Sequence, residues 1–84
     1  MIYLAITSAG LAQALAAASE DDAVWCGSDA IDEATYRASV PHGLSRFSHS
    51  LTGSDASAVI QGALSTIEDH HPGQTIWVEA IPPA

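Results

Sequence analysis

Cys26 stands between Trp25 and Gly27 at the end of a short apolar run. A strand ending there would deliver a thiol to the N-terminus of the next helix, where thiolates are stabilised and become nucleophilic. His49 is the candidate base for such a Cys–His pair. The chain holds one cysteine and four histidines, His42, His49, His70 and His71, which raise the question of a metal site. On a helix, ligands share a face at i, i+3 or i, i+4 spacing. Adjacent His70 and His71 point about 100° apart and do not chelate one ion together. A site would have to combine Glu68, His71 and a distant residue. Ser45, Ser48, Ser50 and Thr52 are rich in hydroxyls but lack the G-x-S-x-G elbow of a serine nucleophile. Thr7-Ser8-Ala9-Gly10 sits where a strand–turn–helix can cradle phosphate, yet it offers a single Gly and the chain has no Lys. It reads as a helix cap. No residue is assigned a catalytic, cofactor-binding or metal-ligating role.

The densest concentration of charge is acidic. Glu20, Asp21 and Asp22 precede a short strand, Asp29, Asp32 and Glu33 follow it, and Trp25 lies between. Carboxylates around an aromatic anchor suit docking on a basic protein surface: the acids steer encounter and the ring supplies burial. The expected partner-binding residues are therefore Asp21, Asp22, Trp25, Asp29, Asp32 and Glu33. The competing reading is structural, with the acids favouring a helix N-terminus and Trp25 filling the core.

Composition narrows the function classes. Ten carboxylates face two arginines, Arg37 and Arg46, for a net charge of −8. Nucleic-acid binding needs clustered Lys or Arg to displace counterions from phosphates, and two Arg cannot do that. The same deficit argues against an anionic membrane surface and a nucleoside-triphosphate site. Basic proteins and cations remain as partners. Charged residues make up only 14% of the chain, too few to imitate a phosphate backbone over the whole surface. One cysteine forms no internal disulfide and fits a reducing compartment. No apolar run reaches the ~20 residues of a membrane span. Residues 1–18 are apolar but lack a basic leader and are interrupted by Thr7, Ser8, Gly10 and Gln13. They read as strand plus helix, and the expected location is the cytoplasm.

The elements that must position these residues follow from periodicity. Ile2 to Thr7 alternates as a strand, and Leu11, Ala14, Leu15 and Ala18 give a first helix ending near Ser19. The acids at 20–22 oppose that helix's dipole and should fray its end. Ala23 to Cys26 is a second strand. Asp29 looks like the N-cap of a short second helix along Ile31, Ala34, Thr35 and Ala38, ended by Pro41 and Gly43. Leu44 to Gly53 reads as a loop with a short helical turn. Ser54 caps a helix with the stripe Ala56, Val59, Ile60, Ala63, Leu64 and Ile67, which ends at His70-His71-Pro72-Gly73. Thr75 to Ile81 is a last strand, stopped by Pro82-Pro83. The order predicts an α/β fold: one domain over 1–84, with a three-stranded sheet packed by two to three helices. Sixteen of the apolar residues are Ala, so the core is small and a homodimer would add buried surface.

In size, acidity, lack of Lys and compact αβ plan, the chain resembles small protein inhibitors: antitoxins, immunity proteins, and phage or mobile-element anti-defence proteins. Residues 1–25 also resemble the N-terminal strand–helix–strand of cobalamin-biosynthesis α/β domains, a pattern not followed past Gly27. The first resemblance implies a non-catalytic, stoichiometric binder of a basic protein, without cofactor. Two alternatives are a small enzyme or metal-binding subunit completed by oligomerisation, using Cys26, His49 or His71, and a structural subunit with an apolar patch near Phe47 and Trp77.

Overall fold

Ile2 and Leu4 alternate with Tyr3 and Ala5, and in a computed structural model of the chain that alternation forms the centre of a parallel sheet. The structure describes residues 1–38, 43–53 and 55–80. Seven elements follow in order: β1 (Ile2–Ala5), α1 (Ser8–Ala17), β2 (Ala23–Cys26), α2 (Glu33–Ala38), β3 (Leu44–Arg46), α3 (Ala56–His70) and β4 (Ile76–Val78). The strand order is β3-β2-β1-β4. All three neighbouring pairs are parallel, with Ile2 opposite both Ala23 and Ile76, and Val24 opposite Leu44.

Because side chains alternate across a strand, the sheet has two cores. On one face Tyr3, Ala5, Val24, Cys26 and Leu44 pack under Leu11, Ala14 and Leu15 of α1 and Ala30, Ile31 and Tyr36 around α2. On the other, Ile2, Leu4, Ile6, Trp25 and Ile76 meet Val59, Ile60, Ala63, Leu64 and Ile67 of α3, with Leu51 beside them. The fold is a three-layer α/β sandwich. Steps from β1 through β2 to β3 run one way with helices on one face. The step from β3 to β4 returns past β1, so α3 lies on the opposite face, as right-handed crossovers require.

The α/β class agrees with the periodicity, but the sheet has four strands rather than three. The extra strand is Leu44–Arg46, in the segment expected to be a loop with a helical turn. Leu44 is buried against Val24's side of the sheet, and three residues are too few for a period to show. Asp29 does not cap α2; Asp32 does, its carboxylate accepting the Thr35 amide at 2.7 Å. α1 stops at Ala17, short of Ser19. Its end is tied down rather than frayed, since Asp22 accepts from the Ser19 amide at 2.9 Å and the Met1 amino group lies 3.3 Å from the same carboxylate. The last strand is shorter than expected, ending at Val78. The Ser54 cap, the Pro41 break, His42 and the Ile81–Pro83 stop lie outside the described residues. Among the described residues, no helix is long and apolar enough to cross a membrane.

Candidate functional site

In an open parallel sheet, ligands favour the crevice at the carboxyl ends of the strands where the order reverses. Here that point lies between β1 and β4. The peptide turning out of β1 carries Thr7, whose Oγ1 accepts the Gly10 amide at 3.1 Å and so caps α1. Amides around a helix start attract an anion, and a carboxylate of the chain takes those of Ile6 and Thr7, in the turn that enters α1. Glu79, one residue beyond β4, accepts the Ile6 amide at 2.7 Å, the Thr7 amide at 2.8 Å and the Thr7 hydroxyl at 2.6 Å. Burial alone would raise the Glu79 pKa. The Thr7 hydroxyl and the two amides outweigh it and hold the carboxyl below its usual range. Gly10 is required by this arrangement, because a Cβ there would sit 1.9 Å from Glu79 Oε1. The place where a nucleotide's phosphate would rest is thus filled by a side chain. Sequence reading identified the cap but not Glu79, since 72 residues separate the carboxylate from Thr7.

The adjoining loops at the carboxyl ends form a second polar network. Asp29 accepts from the Ser50 hydroxyl at 2.5 Å and the Thr52 hydroxyl at 2.9 Å. These bonds, Ser50 first, lower the Asp29 pKa. Arg46, at the end of β3, donates to the Ile31 carbonyl at 2.8 Å and the Ser28 carbonyl at 3.2 Å. It straps the loop between β2 and α2 to the neighbouring strand. The hydroxyl-rich stretch and its arginine therefore do structural work.

Cys26 is 0% exposed, packed in the core beneath α1 and α2. Burial pushes its thiol pKa up, and nearby Arg46 only partly opposes this. A thiol so placed is a poor nucleophile at neutral pH. His49 faces Phe47, with ring centroids 5.5 Å apart. Phe47 in turn packs on Trp25 at 5.3 Å, and His70 and His71 lie 5.4 and 6.1 Å from the same indole. These residues form an aromatic strip on the α3 side near β3. The Trp25 indole N–H is buried within it with no hydrogen-bond partner among the described residues. Among the described residues, no three His, Cys, Asp or Glu side chains converge as metal ligands.

The structure divides the six expected partner-binding residues. Asp21 and Asp22 lie at the amino end of β2, Asp29, Asp32 and Glu33 beyond its carboxyl end, and Trp25 beneath α3. They do not form one patch around an indole. Both arginines also fall with the second group: Arg46 behind Asp29 and Asp32, and Arg37 paired with Glu33 at 2.8 Å. At that end and along α2, five carboxylates (Asp29, Asp32, Glu33, Asp55 and Glu79) face two guanidinium groups, a formal −3. At the opposite end, five carboxylates (Glu20, Asp21, Asp22, Glu68 and Asp69) have no Arg and only the Met1 amino group against them, a formal −4. The Met1 amino group sits among them, bonded to Asp22 and to the Gln74 amide oxygen. It ties the loop after α1 to the loop after α3. The strongest charge imbalance is at the amino ends of the strands.

An open groove of about 250 Å³ runs between α1 and β4, lined by Tyr3, Gly10, Gln13, Ala14, Ala17 and Trp77 among others. Trp77 is 56% exposed and Val78 40%. No protein-family model, curated protein or solved structure matches the chain.

Proposed function

We propose that the chain is a non-catalytic interaction domain that docks on a basic protein surface. The docking end is the one bearing Glu20, Asp21, Asp22, Glu68 and Asp69. One observation carries this reading: both arginines are spent on groups at and beyond the carboxyl end of β2, leaving the other end with five carboxylates against the Met1 amino group alone. Such an end attracts a cationic surface over a distance set by ionic strength, about 10 Å at 0.1 M and about 3 Å at 1 M. The buried thiol and the filled helix N-terminus support a binding role over thiol chemistry or phosphate binding. The resemblance to small acidic inhibitors points the same way, with a stoichiometric complex as the mode of action.

The test compares the wild-type chain with two charge-reversed variants, Glu20→Lys/Asp21→Lys/Glu68→Lys/Asp69→Lys and Asp29→Lys/Asp32→Lys, as baits in host extract. The wild type and the second variant should retain the same basic protein, and the first should not. Added salt should slow association sharply. A captured partner that is acidic, or a complex equally strong at both ends of the salt range, would overturn the proposal. Retention by the first variant would remove the assigned surface.

A further inference from the structure

We propose that two copies of this chain join through the free edge of β4, making one continuous sheet with Trp77 of each copy packed against the other. β4 is the last strand of the order β3-β2-β1-β4, so one of its sides has no neighbouring strand among the described residues. The Ile2 amide donates to the Thr75 carbonyl, and the Glu79 amide donates to the Leu4 carbonyl. In a parallel ladder alternate residues of one strand serve the neighbour. Thr75, Trp77 and Glu79 thus turn their main-chain groups toward β1. Ile76 and Val78 turn theirs outward, to the open edge. A two-fold axis beside Trp77 would set Ile76 opposite the second copy's Val78, and Val78 opposite its Ile76. Each pair would exchange both main-chain bonds, and the two Trp77 residues would become a directly opposed pair. Such pairs bring Cα atoms to about 4.5 Å, close enough for two indoles to stack.

Charge selects the occupant. A chain of net charge −8 repels its own copies wherever carboxylates would meet. From Ser8 to Ala17 α1 has no charged residue, and neither has β4. The single carboxylate lining the groove, Glu79, is turned into the Thr7 and Ile6 bonds. This face offers nothing to a cationic partner and costs least for a second copy. It also exposes the largest apolar side chain on the surface, Trp77. Edge strands of monomers are usually blunted by charge, and here Ile76, Trp77 and Val78 carry none. The symmetric arrangement is isologous and closes at two copies. It leaves the anionic end of each copy free, so this inference stands or falls separately from the docking proposal.

Light scattering and native mass spectrometry on the purified chain test it, without any partner. The expected species is twice the 8.7 kDa chain mass, dissociating on dilution. Trp77→Glu should give the single-chain mass with an unchanged circular-dichroism spectrum. Val78→Pro removes only an outward N–H and should also give the single-chain mass, with Trp77 intact. A wild type that stays at 8.7 kDa at the highest attainable concentration overturns the inference. So does a dimer that survives either substitution.

Discussion

The sign of the Gly10→Ala effect on stability should depend on whether Glu79 is present. The Glu79 carboxylate accepts three hydrogen bonds, at 2.6 to 2.8 Å, from the turn that starts α1. A bond to a charged group is worth roughly 1.5–3 kcal/mol. The carboxylate lies at the mouth of a groove, however, and water can reach the freed amides. The relevant scale is closer to loss of a helix cap with its dipole term, about 2 kcal/mol for Glu79→Ala. For a domain of this size that lowers the melting temperature by roughly 8–16 °C. Gly10→Ala gains up to about 1 kcal/mol of helix propensity. It also drives a methyl into Glu79 Oε1 and expels the carboxylate, so in the wild type it should destabilise by about 1 kcal/mol. In the Glu79→Ala background nothing remains to expel, and the same substitution should stabilise. The pH dependence has a fixed sign. The folded pKa is depressed below 4.5, so the carboxylate's contribution is fully present above that value and is lost as pH falls through the folded pKa. Denaturant unfolding of the four-member cycle, repeated from about pH 7 to about pH 3, measures all of this. Gly10→Ala acting alike in both backgrounds would refute the reasoning. So would a gap between wild type and Glu79→Ala that does not narrow in acid.

Three further outcomes follow from the packing. Gly27→Ala should destabilise by about 1–3 kcal/mol, because its Cβ would stand 2.8 Å from Cγ of buried Leu51, and Leu51→Ala in the same chain should relieve the clash, as unfolding curves would show. Cys26 should resist a thiol reagent at neutral pH until the chain unfolds, since the group is fully buried and its pKa is raised; labelling at the rate of a free thiol would contradict that placement. Arg46→Lys should loosen the loop between β2 and α2, because an ammonium group cannot reproduce the guanidinium's fork onto the Ile31 and Ser28 carbonyls. Faster amide exchange at 28–32 is the expected readout, and unchanged protection would show the strap to be dispensable.

What the chain declares locally is its periodicity. Ile2-Tyr3-Leu4-Ala5 alternates as a strand must, and Ala56 to Ile67 repeats as an amphipathic helix must. The α/β class therefore follows from residues that are neighbours along the chain. The imbalance of ten carboxylates against two arginines is equally local, being a matter of counting. Three-residue β3 escaped because Leu44-Ser45-Arg46 is too short to show a period and is a strand only by pairing with β2. Tertiary structure alone decided where the charges lie. Folding carries Arg46 over to the carbonyls of Ser28 and Ile31, brings Glu68 and Asp69 to the same end as Glu20 and Asp21, and delivers Glu79 to Thr7. Hydrogen bonds and Coulomb interactions act through space, over a few ångströms, between residues that sequence separates by tens of positions. That is why the amount of negative charge could be read from the sequence, while the end of the molecule that presents it could not.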